Sequence, residues 1–396
     1  MPNIQVGIGF SQSLDPLHAA TEAAIQARKN AKQPRPNLAI IFNTAHYDPK
    51  DFMPVIRETL GDTTLVGCST AGIITPEHIS LRGLGVMVIG SDENFFSAGY
   101  LEQAGEPDLT EPGKTLAGQV LKDAGEHLRK AFIYFADSNI HNHASLLKGM
   151  QEIFGTIFPV IGAGSCDDFH FKESWQYCDN VIMKHGIAGF LIGGRANVGV
   201  ASRHGWKPLG KPRTIDHSEH NLIHSIDGEP AAKIYDEYFG KEAKTMREAR
   251  LGQISILYPL GIYVPGEKEY LLRNAVNVES NGTIVCQGEV PENSEVHIML
   301  SNKESCILAA TEAALEAQTG LRGKKAEAVI IIESMARYKL LGRSAFREIE
   351  AIKNVFGHST PIFGMYSYGE ISPTQTDSEK LSLHLKNESI SIIAIG

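Results

Sequence analysis

One short segment occurs twice in this chain, and this repetition constrains the fold more than any other feature of the sequence. Ala19-Ala20-Thr21-Glu22-Ala23-Ala24-Ile25 recurs near the other end as Ala309-Ala310-Thr311-Glu312-Ala313-Ala314-Leu315. Both copies are typical of an Ala-rich amphipathic helix, and apolar segments that favour strands flank each one: residues 5–10 and 38–42, then 295–300 and 328–332. The chain is therefore predicted to use one ancestral strand-helix-strand unit at least twice.

Each unit continues through a helix into a short strand that ends in a glycine-containing turn, at residues 65–72 in the first copy and 362–370 in the last. The middle of the chain supplies a third version, with a strand at 130–136, a helix at 144–154 and the turn at 160–168. Extended segments at 83–89, 187–192 and 381–395 follow the turns and suggest antiparallel additions. The predicted fold class is α/β, in two domains with mixed sheets built from repeated strand-helix-strand units.

A domain boundary is expected where Gly and Pro concentrate, in residues 204–213, which divides the chain into 1–211 and 212–396. The second half is predicted to begin with a helix at 229–239, because Pro230 suits a first helical turn. Extended segments are expected at 253–258 and 270–278, and the Asn281-Gly282 pair predicts a hairpin turn.

Composition restricts the class of protein. Of the 396 residues, 42% are hydrophobic and 21% charged, with no apolar run long enough for a membrane helix and no signal-peptide pattern at the start. A soluble, cytoplasmic protein is expected. The net charge of −9 without a basic cluster argues against nucleic-acid binding. Five scattered cysteines without a C-x-x-C pair favour neither a disulfide framework nor a zinc ribbon, which leaves small molecules or proteins as partners.

The glycine turns are the first candidate site. Turns that leave a strand through glycine can expose consecutive backbone N–H groups, and such a concave nest suits a carboxylate or phosphate. The alternative is that these glycines only permit tight chain reversal. The candidate ligand-binding residues in these turns are Gly67, Cys68, Ser69, Thr70, Gly164, Ser165, Cys166, Asp167 and Asp168.

The two turn cysteines also raise the possibility of a cysteine-dependent hydrolase. A reactive thiolate needs a nearby base or positive charge, and neither is evident around Cys68 or Cys166. Asp167 and Asp168 follow Cys166 directly and would raise its pKa. Small buried cysteines are the favoured interpretation, and no catalytic residue is assigned.

Histidines could bind a metal or haem. His141-x-His143 does not share a helix face and has no third ligand nearby in the sequence, which argues against zinc. His204 lies beside Trp206 at the expected domain junction, where the two rings could hold a flat ligand or pack the domains together. No metal is predicted.

A tyrosine-rich segment in the last unit is the third candidate. Tyr366 and Tyr368 would share one face of an extended chain, followed directly by Gly369-Glu370. Arg273 lies between apolar residues, and its planar guanidinium fits a carboxylate. Arg273 and Glu370 could therefore clamp the two charges of an amino acid. Core tyrosines with satisfied hydroxyls are the alternative.

Taken in order, five motifs resemble the FIST N and FIST C domains in tandem over nearly the entire chain. The motifs are Val66-Gly67-Cys68-Ser69-Thr70-Ala71-Gly72, Asp167-Asp168-Phe169-x-Phe171, His204-Gly205-Trp206-x-Pro208-x-Gly210, Gly228-x-Pro230-Ala231 and Tyr366-Ser367-Tyr368-Gly369-Glu370-Ile371. The segments at 333–337 and 384–389 depart from the family pattern, although Arg337, His384 and Asn387 remain pocket candidates.

The resemblance implies a sensory module for small ligands such as amino acids, and not an enzyme. No cofactor is required for that function. In one subgroup of the family the resemblance implies haem-based nitric oxide sensing beside a histidine kinase, and haem is kept as an alternative cofactor. The signal is expected to pass to a separate protein as a change of shape.

Overall fold

The computed structural model describes residues 4–31, 35–105, 107–125, 127–140, 142–167, 173–240, 256–375 and 381–396. Within them, three copies of one α/β unit follow each other along the chain, and the third copy is interrupted by an inserted sheet. The predicted fold class is confirmed. No helix in these described ranges has the length and apolar character needed to cross a membrane.

The first two units share one order of elements. The first consists of β1 Gln5–Ser11, α1 Pro16–Ala31, β2 Leu38–Thr44, α2 Pro49–Leu60, β3 Thr64–Thr70, β4 Ile73–Ile74, β5 Ile79–Ser80 and β6 Leu84–Gly90. The second consists of β7 Asn94–Leu101, α3 Thr110–Lys122, β8 Arg129–Asp137, α4 His143–Phe154, β9 Val160–Ser165, β10 Trp175–Cys178, β11 Val181–Lys184 and β12 Ile187–Gly194.

The third unit begins with β13 Val198–Arg203 and resumes after the insertion. The insertion contains β14 Lys207–Glu219, β15 Leu222–Ile226, β16 Glu229–Pro230, α5 Lys233–Phe239, β17 Leu260–Ile262, β18 Leu271–Arg273, β19 Ala275–Val278, β20 Ile284–Cys286 and β21 Glu295–Leu300. The unit then continues with α6 Lys303–Gly320, β22 Ala328–Ser334, α7 Met335–Leu341, α8 Ala345–Phe356, β23 Ile362–Ser367, β24 Glu370–Gln375, β25 Leu381–Lys386 and β26 Ile390–Ile395.

The three units build equivalent mixed sheets. Their strand orders are β1-β6-β2-β3, β7-β12-β8-β9 and β13-β26-β22-β23, and in each the last two strands are parallel while the other pairs are antiparallel. Their apolar faces meet in a shared core. There Phe42 of the first unit stacks on Phe363 of the third, with ring centroids 4.9 Å apart, and contacts Phe135 of the second edge-on.

Each unit also gives a hairpin to another unit's sheet. The β4-β5 hairpin of the first unit pairs with β23, β10-β11 of the second pairs with β3, and β24-β25 of the third pairs with β9. Since every sheet is completed by a strand from a different unit, the exchange closes a ring of three. The proposed boundary at 211/212 falls inside the continuous strand β14.

The repeated Ala-rich helices have a packing reason. A Cβ added to Gly7 in β1 would lie 2.0 Å from the carbonyl oxygen of Ala27 in α1. In the third unit, a Cβ added to Gly199 in β13 would lie 1.8 Å from the carbonyl oxygen of Ala317 in α6. Glycine in the strand and alanine in the helix allow the two backbones to touch, which no larger side chain permits.

One strand of the sequence repeat occupies a different position from the one predicted. Residues 295–300 form β21, but β21 pairs with β14 and β17 in the inserted sheet. The counterpart of β1 is β13, because β13 pairs antiparallel with β26 as β1 does with β6. β21 directly precedes helix α6 in the sequence, but α6 packs on β13 and not on β21.

The inserted sheet has the order β18-β17-β21-β14-β15-β20-β19. The Asn281-Gly282 hairpin turn between β19 and β20 is confirmed, with φ of 87° at Gly282. The predicted helix at 229–239 is shorter than expected, since Glu229–Pro230 pair with β15 and α5 begins only at Lys233. Of the strand predicted at 253–258, residues 253–255 lie outside the described ranges, and 256–258 form a turn.

Candidate functional site

The three glycine turns meet, but they bond to one another. Backbone hydrogen bonds run from the amide of one turn to the carbonyl of another: Cys166 to Ser69 at 3.1 Å, Tyr366 to Gly72 at 2.9 Å, and Gly164 to Gly369 at 2.8 Å. Gly67 lies inside β3, between Ile41 and Tyr177 of the neighbouring strands. These amides are already paired and do not form an open nest for an anion. This corrects the expectation from the turn sequences.

The side chains of the turns are also used to join neighbouring segments. The Thr70 hydroxyl donates to the carbonyl oxygen of Tyr366 at 2.7 Å, and Ser165 donates to Ala136 at 2.9 Å. Ser69 Oγ accepts from the Trp175 amide at 2.9 Å. Asp167 Oδ2 accepts from the Glu173 amide at 3.0 Å, and Asp168 lies outside the described residues. The turn side chains hold the ring together in this structure.

The turn cysteines are buried thiols. Burial, and then the neighbouring Cys166, raise the pKa of the Cys68 thiol well above its usual range. Cys166 Sγ donates to the carbonyl oxygen of Tyr366 at 3.1 Å. Because the thiolate is the nucleophile, a thiol held in its protonated form gives no support to a cysteine hydrolase.

The predicted Arg273–Glu370 clamp is not formed, because each group is bonded elsewhere. Nε of buried Arg273 donates to the Glu289 carbonyl at 2.7 Å, and Nη1 to the Leu385 carbonyl at 2.8 Å. The Glu370 carboxylate accepts from the hydroxyls of Ser367 and Ser389, the latter at 2.8 Å. These partners make Arg273 and Glu370 interior groups.

The two tyrosines of the last turn are also interior. Tyr366 is fully buried, and its ring packs edge-on against Tyr338 with centroids 5.1 Å apart. Tyr368 is 9% exposed and belongs to the same apolar cluster. Their burial agrees with the alternative interpretation as core tyrosines, but the Tyr366 hydroxyl has no hydrogen-bond partner among the described residues.

Arg337 is the centre of a buried ionic cluster. Its guanidinium pairs with Glu348 of α8 and lies 3.7 Å from Glu333, all three fully buried. Burial, followed by the charge of Glu348, raises the pKa of Glu333 well above its usual range. Arg337 also donates to the backbone carbonyls of His204 and Cys306. Through the His204 carbonyl, the cluster is joined to the segment that follows β13.

A small cleft, open to solvent, lies where the inserted sheet meets the third unit. The end of β13 forms one wall, the segment 267–272 a second, and the β24-β25 hairpin with the following turn a third. The lining residues are Ser202, Arg203, His204, Glu267, Lys268, Glu269, Tyr270, Leu271, Leu272, Thr374, Lys386, Asn387 and Ser389. Two predicted site residues, His204 and Asn387, therefore lie in one concave site.

The ring of His204 is fixed on both sides. Nδ1 accepts from the Trp206 amide at 2.8 Å, so Nε2 carries the proton and donates to the Tyr270 carbonyl at 3.1 Å. Burial lowers the pKa of His204, against the charge of Glu269. With both nitrogens engaged, His204 offers no lone pair to a haem iron. Trp206 itself packs in the core beneath, against Leu272.

The cleft carries both signs of charge. Glu267 lies 3.3 Å from His384 Nε2. Burial raises the pKa of this carboxyl, but His384, the charge of Lys386 and Ser382 together lower it overall. Glu269 is more exposed, at 4.0 Å from His204. Lys386 donates to Thr374 Oγ1 at 2.8 Å, and burial lowers its pKa against the charges of Glu267 and Glu269. Within the described ranges, no three His, Cys, Asp or Glu residues are grouped to hold a metal.

Sequence reasoning missed most of this cleft. A usable signal was present in β25, where Ser382, His384 and Lys386 alternate with leucines and so share one polar face. A second was the charged run Glu267-Lys268-Glu269. Neither pattern indicates by itself that the two segments meet.

Comparison with known proteins identifies the domains. The FIST N domain matches residues 37–229, and the FIST C domain matches residues 231–373. An uncharacterized protein of Mycobacterium tuberculosis is 23% identical over 385 residues, which cover 93% of this chain and 95% of that protein. An uncharacterized protein of Mycobacterium bovis is 21% identical over 382 residues, covering 93% and 94%.

Among solved structures, cyanuric acid hydrolase from A. caulinodans matches with a TM-score of 0.27 and 13% identity, over 49% of this chain and 72% of that one. A similarity of this size supports no inference about fold or function. The two domain matches together span most of the sequence and confirm the resemblance drawn from its motifs. The chain therefore belongs to the FIST family, with a FIST N domain followed by a FIST C domain, which are sensory domains of signal transduction.

Proposed function

We propose that this protein is a small-molecule sensor that binds an amino acid in the cleft between the inserted sheet and the third unit, and that a separate partner protein receives the signal. The observation that carries the proposal is that Lys386 and Glu269, of opposite charge, line the same concave site. An amino acid presents a carboxylate and an ammonium group to the protein. Each needs a counter-charge when it leaves water.

The carboxylate of the ligand would face Lys386. In the described part of the chain, the ammonium group of Lys386 has no carboxylate within ion-pair distance, and its one hydrogen bond goes to the neutral Thr374 hydroxyl. Glu269 would face the ligand's ammonium group, while Tyr270 and Leu272 add apolar surface to the lining. The arrangement favours small zwitterions over purely anionic ligands.

The position of the cleft suits a change of shape. Its walls belong to separate sheets, since β18 lies in the inserted sheet and β25 in the sheet of the second unit. The carbonyl of His204 is bonded to Arg337 of α7, which in turn pairs with Glu348 of α8. A ligand that draws the walls together would move the two sheets and these helices, and a partner could bind the altered surface.

A thermal-shift screen of the amino acids tests this proposal, because a ligand that binds only the folded state raises the melting temperature. Lys386→Met is expected to weaken binding roughly ten- to hundred-fold, as expected for loss of a charge-assisted hydrogen bond. Lys29→Met is the matched control, since Lys29 is exposed on α1 in the first unit. A full panel without any shift, or equal affinity of Lys386→Met and wild type, would contradict the proposal.

A further inference from the structure

Among the described residues, Lys386 is a lysine in a concave site that has no carboxylate within ion-pair distance. Lys114, by contrast, contacts Glu111 at 2.8 Å and Glu152 at 2.7 Å. Lys386 ends β25, lines the cleft, and has the Thr374 hydroxyl as its hydrogen-bond partner. Glu267 is paired with His384 instead. The amine therefore faces a concave, solvent-open space, and no described carboxylate forms an ion pair that would fix its charge.

The surroundings of Lys386 favour its neutral form more than water does. Burial lowers the pKa of Lys386, and the more distant carboxylates Glu267 and Glu269 offset only part of this effect. A lysine that is partly desolvated in a cleft is a nucleophile toward carbonyl carbon, because the unprotonated amine has a free lone pair.

We propose that the ε-amino group of Lys386 forms a reversible imine with the ketone group of a small 2-oxo acid bound in this cleft. The inference rests on the proposed function, since it uses the same cleft and adds a second ligand class to it. A 2-oxo acid has the size of an amino acid but carries a carbonyl in place of the ammonium group. Lys268, which also lines the cleft, offers a cation to its carboxylate.

The reaction balances without an oxidant or reductant. The amine lone pair attacks the C2 carbonyl carbon, and a proton moves from nitrogen to oxygen to give a carbinolamine. Protonation of that hydroxyl by an acid then releases water, and the C=N bond forms. Glu269 lines the same cleft and is the carboxyl group available to carry this proton. Hydrolysis reverses the sequence, so the ligand remains exchangeable.

Reductive trapping tests this inference. The full-length protein is incubated with pyruvate and sodium cyanoborohydride, and the modified lysine is located by peptide mass spectrometry. The expected result is one reduced adduct at Lys386, at roughly ten times the level at any exposed lysine, as follows from a lowered pKa. Absence of an adduct at Lys386, or uniform modification of surface lysines, overturns the inference.

Two variants separate the imine from simple binding. Lys386→Arg keeps a cation for an amino-acid carboxylate but has no amine that can form the imine, so it is expected to retain the amino-acid thermal shift and lose the adduct. Lys29→Met, at an exposed position on α1 outside the cleft lining, is expected to retain the adduct at Lys386. An amino-acid shift without trapping in wild type overturns the imine alone, whereas trapping without any amino-acid shift overturns the amino-acid proposal alone. The wild-type peptide map decides the question even if a variant fails to fold.

Discussion

Glu370 is a buried carboxyl whose ionisation should make this fold less stable as pH rises. It is fully buried beside the junction of β24 and β9, where the third unit's hairpin joins the second unit's sheet. Burial raises its pKa to about 7, although hydrogen bonds from Ser367 and Ser389 and the charge of Arg337 oppose this effect. Replacing Glu370 with Gln keeps the shape and removes the charge.

The magnitude follows from the two pKa values. The ordinary value is 4.5 and the folded value about 7, so between these pH values the folded state holds a proton that the unfolded state has lost. Stability from this group is then present below about pH 4.5 and lost as pH rises to about 7. A separation of about 2.5 pH units corresponds to roughly 3 kcal/mol. Above pH 7 the loss is complete and constant.

Urea unfolding of wild type and Glu370→Gln, measured from pH 4.5 to pH 8, checks this reasoning. The variant is expected to gain up to about 3 kcal/mol relative to wild type across this range, with most of the gain below pH 7. Glu312→Gln, at an exposed position on α6, is the control and should show no such trend. A difference between wild type and Glu370→Gln that stays constant with pH would refute the assignment of a raised pKa.

Four further outcomes are expected. Gly199→Ala should destabilise the fold by about 1–3 kcal/mol or more in thermal melts, because its Cβ would overlap the α6 backbone. Gly118→Ala on α3, where a Cβ meets nothing within 4 Å, should be neutral or stabilising by up to about 1 kcal/mol. Arg337→Met should cost about 3–5 kcal/mol in denaturant unfolding, because it leaves the Glu348 charge buried. Native-state alkylation of Cys68 should be far slower than alkylation of the unfolded chain, since its thiol is buried and its pKa raised; equal rates would contradict this.

The sequence by itself determined the local structure and the family. The Ala-rich repeats predicted two amphipathic helices, and both are present as α1 and α6. The alternation of strands and helices predicted mixed α/β sheets, and the ordered motifs identified the FIST domains. Each of these depends on residues close together in the chain, where spacing indicates conformation directly.

Only the tertiary structure decided which segments meet. A strand's pattern shows which face is apolar but not which strand lies beside it, so β13 and not residues 295–300 pairs with β26. For the same reason the hairpin exchange and the partners of Arg273 were not visible in the sequence. The cleft depends on contacts among residues 202–204, 267–272, 374 and 386–389. Such long-range pairings are set by the packing of whole sheets around a shared core, and no local pattern encodes them.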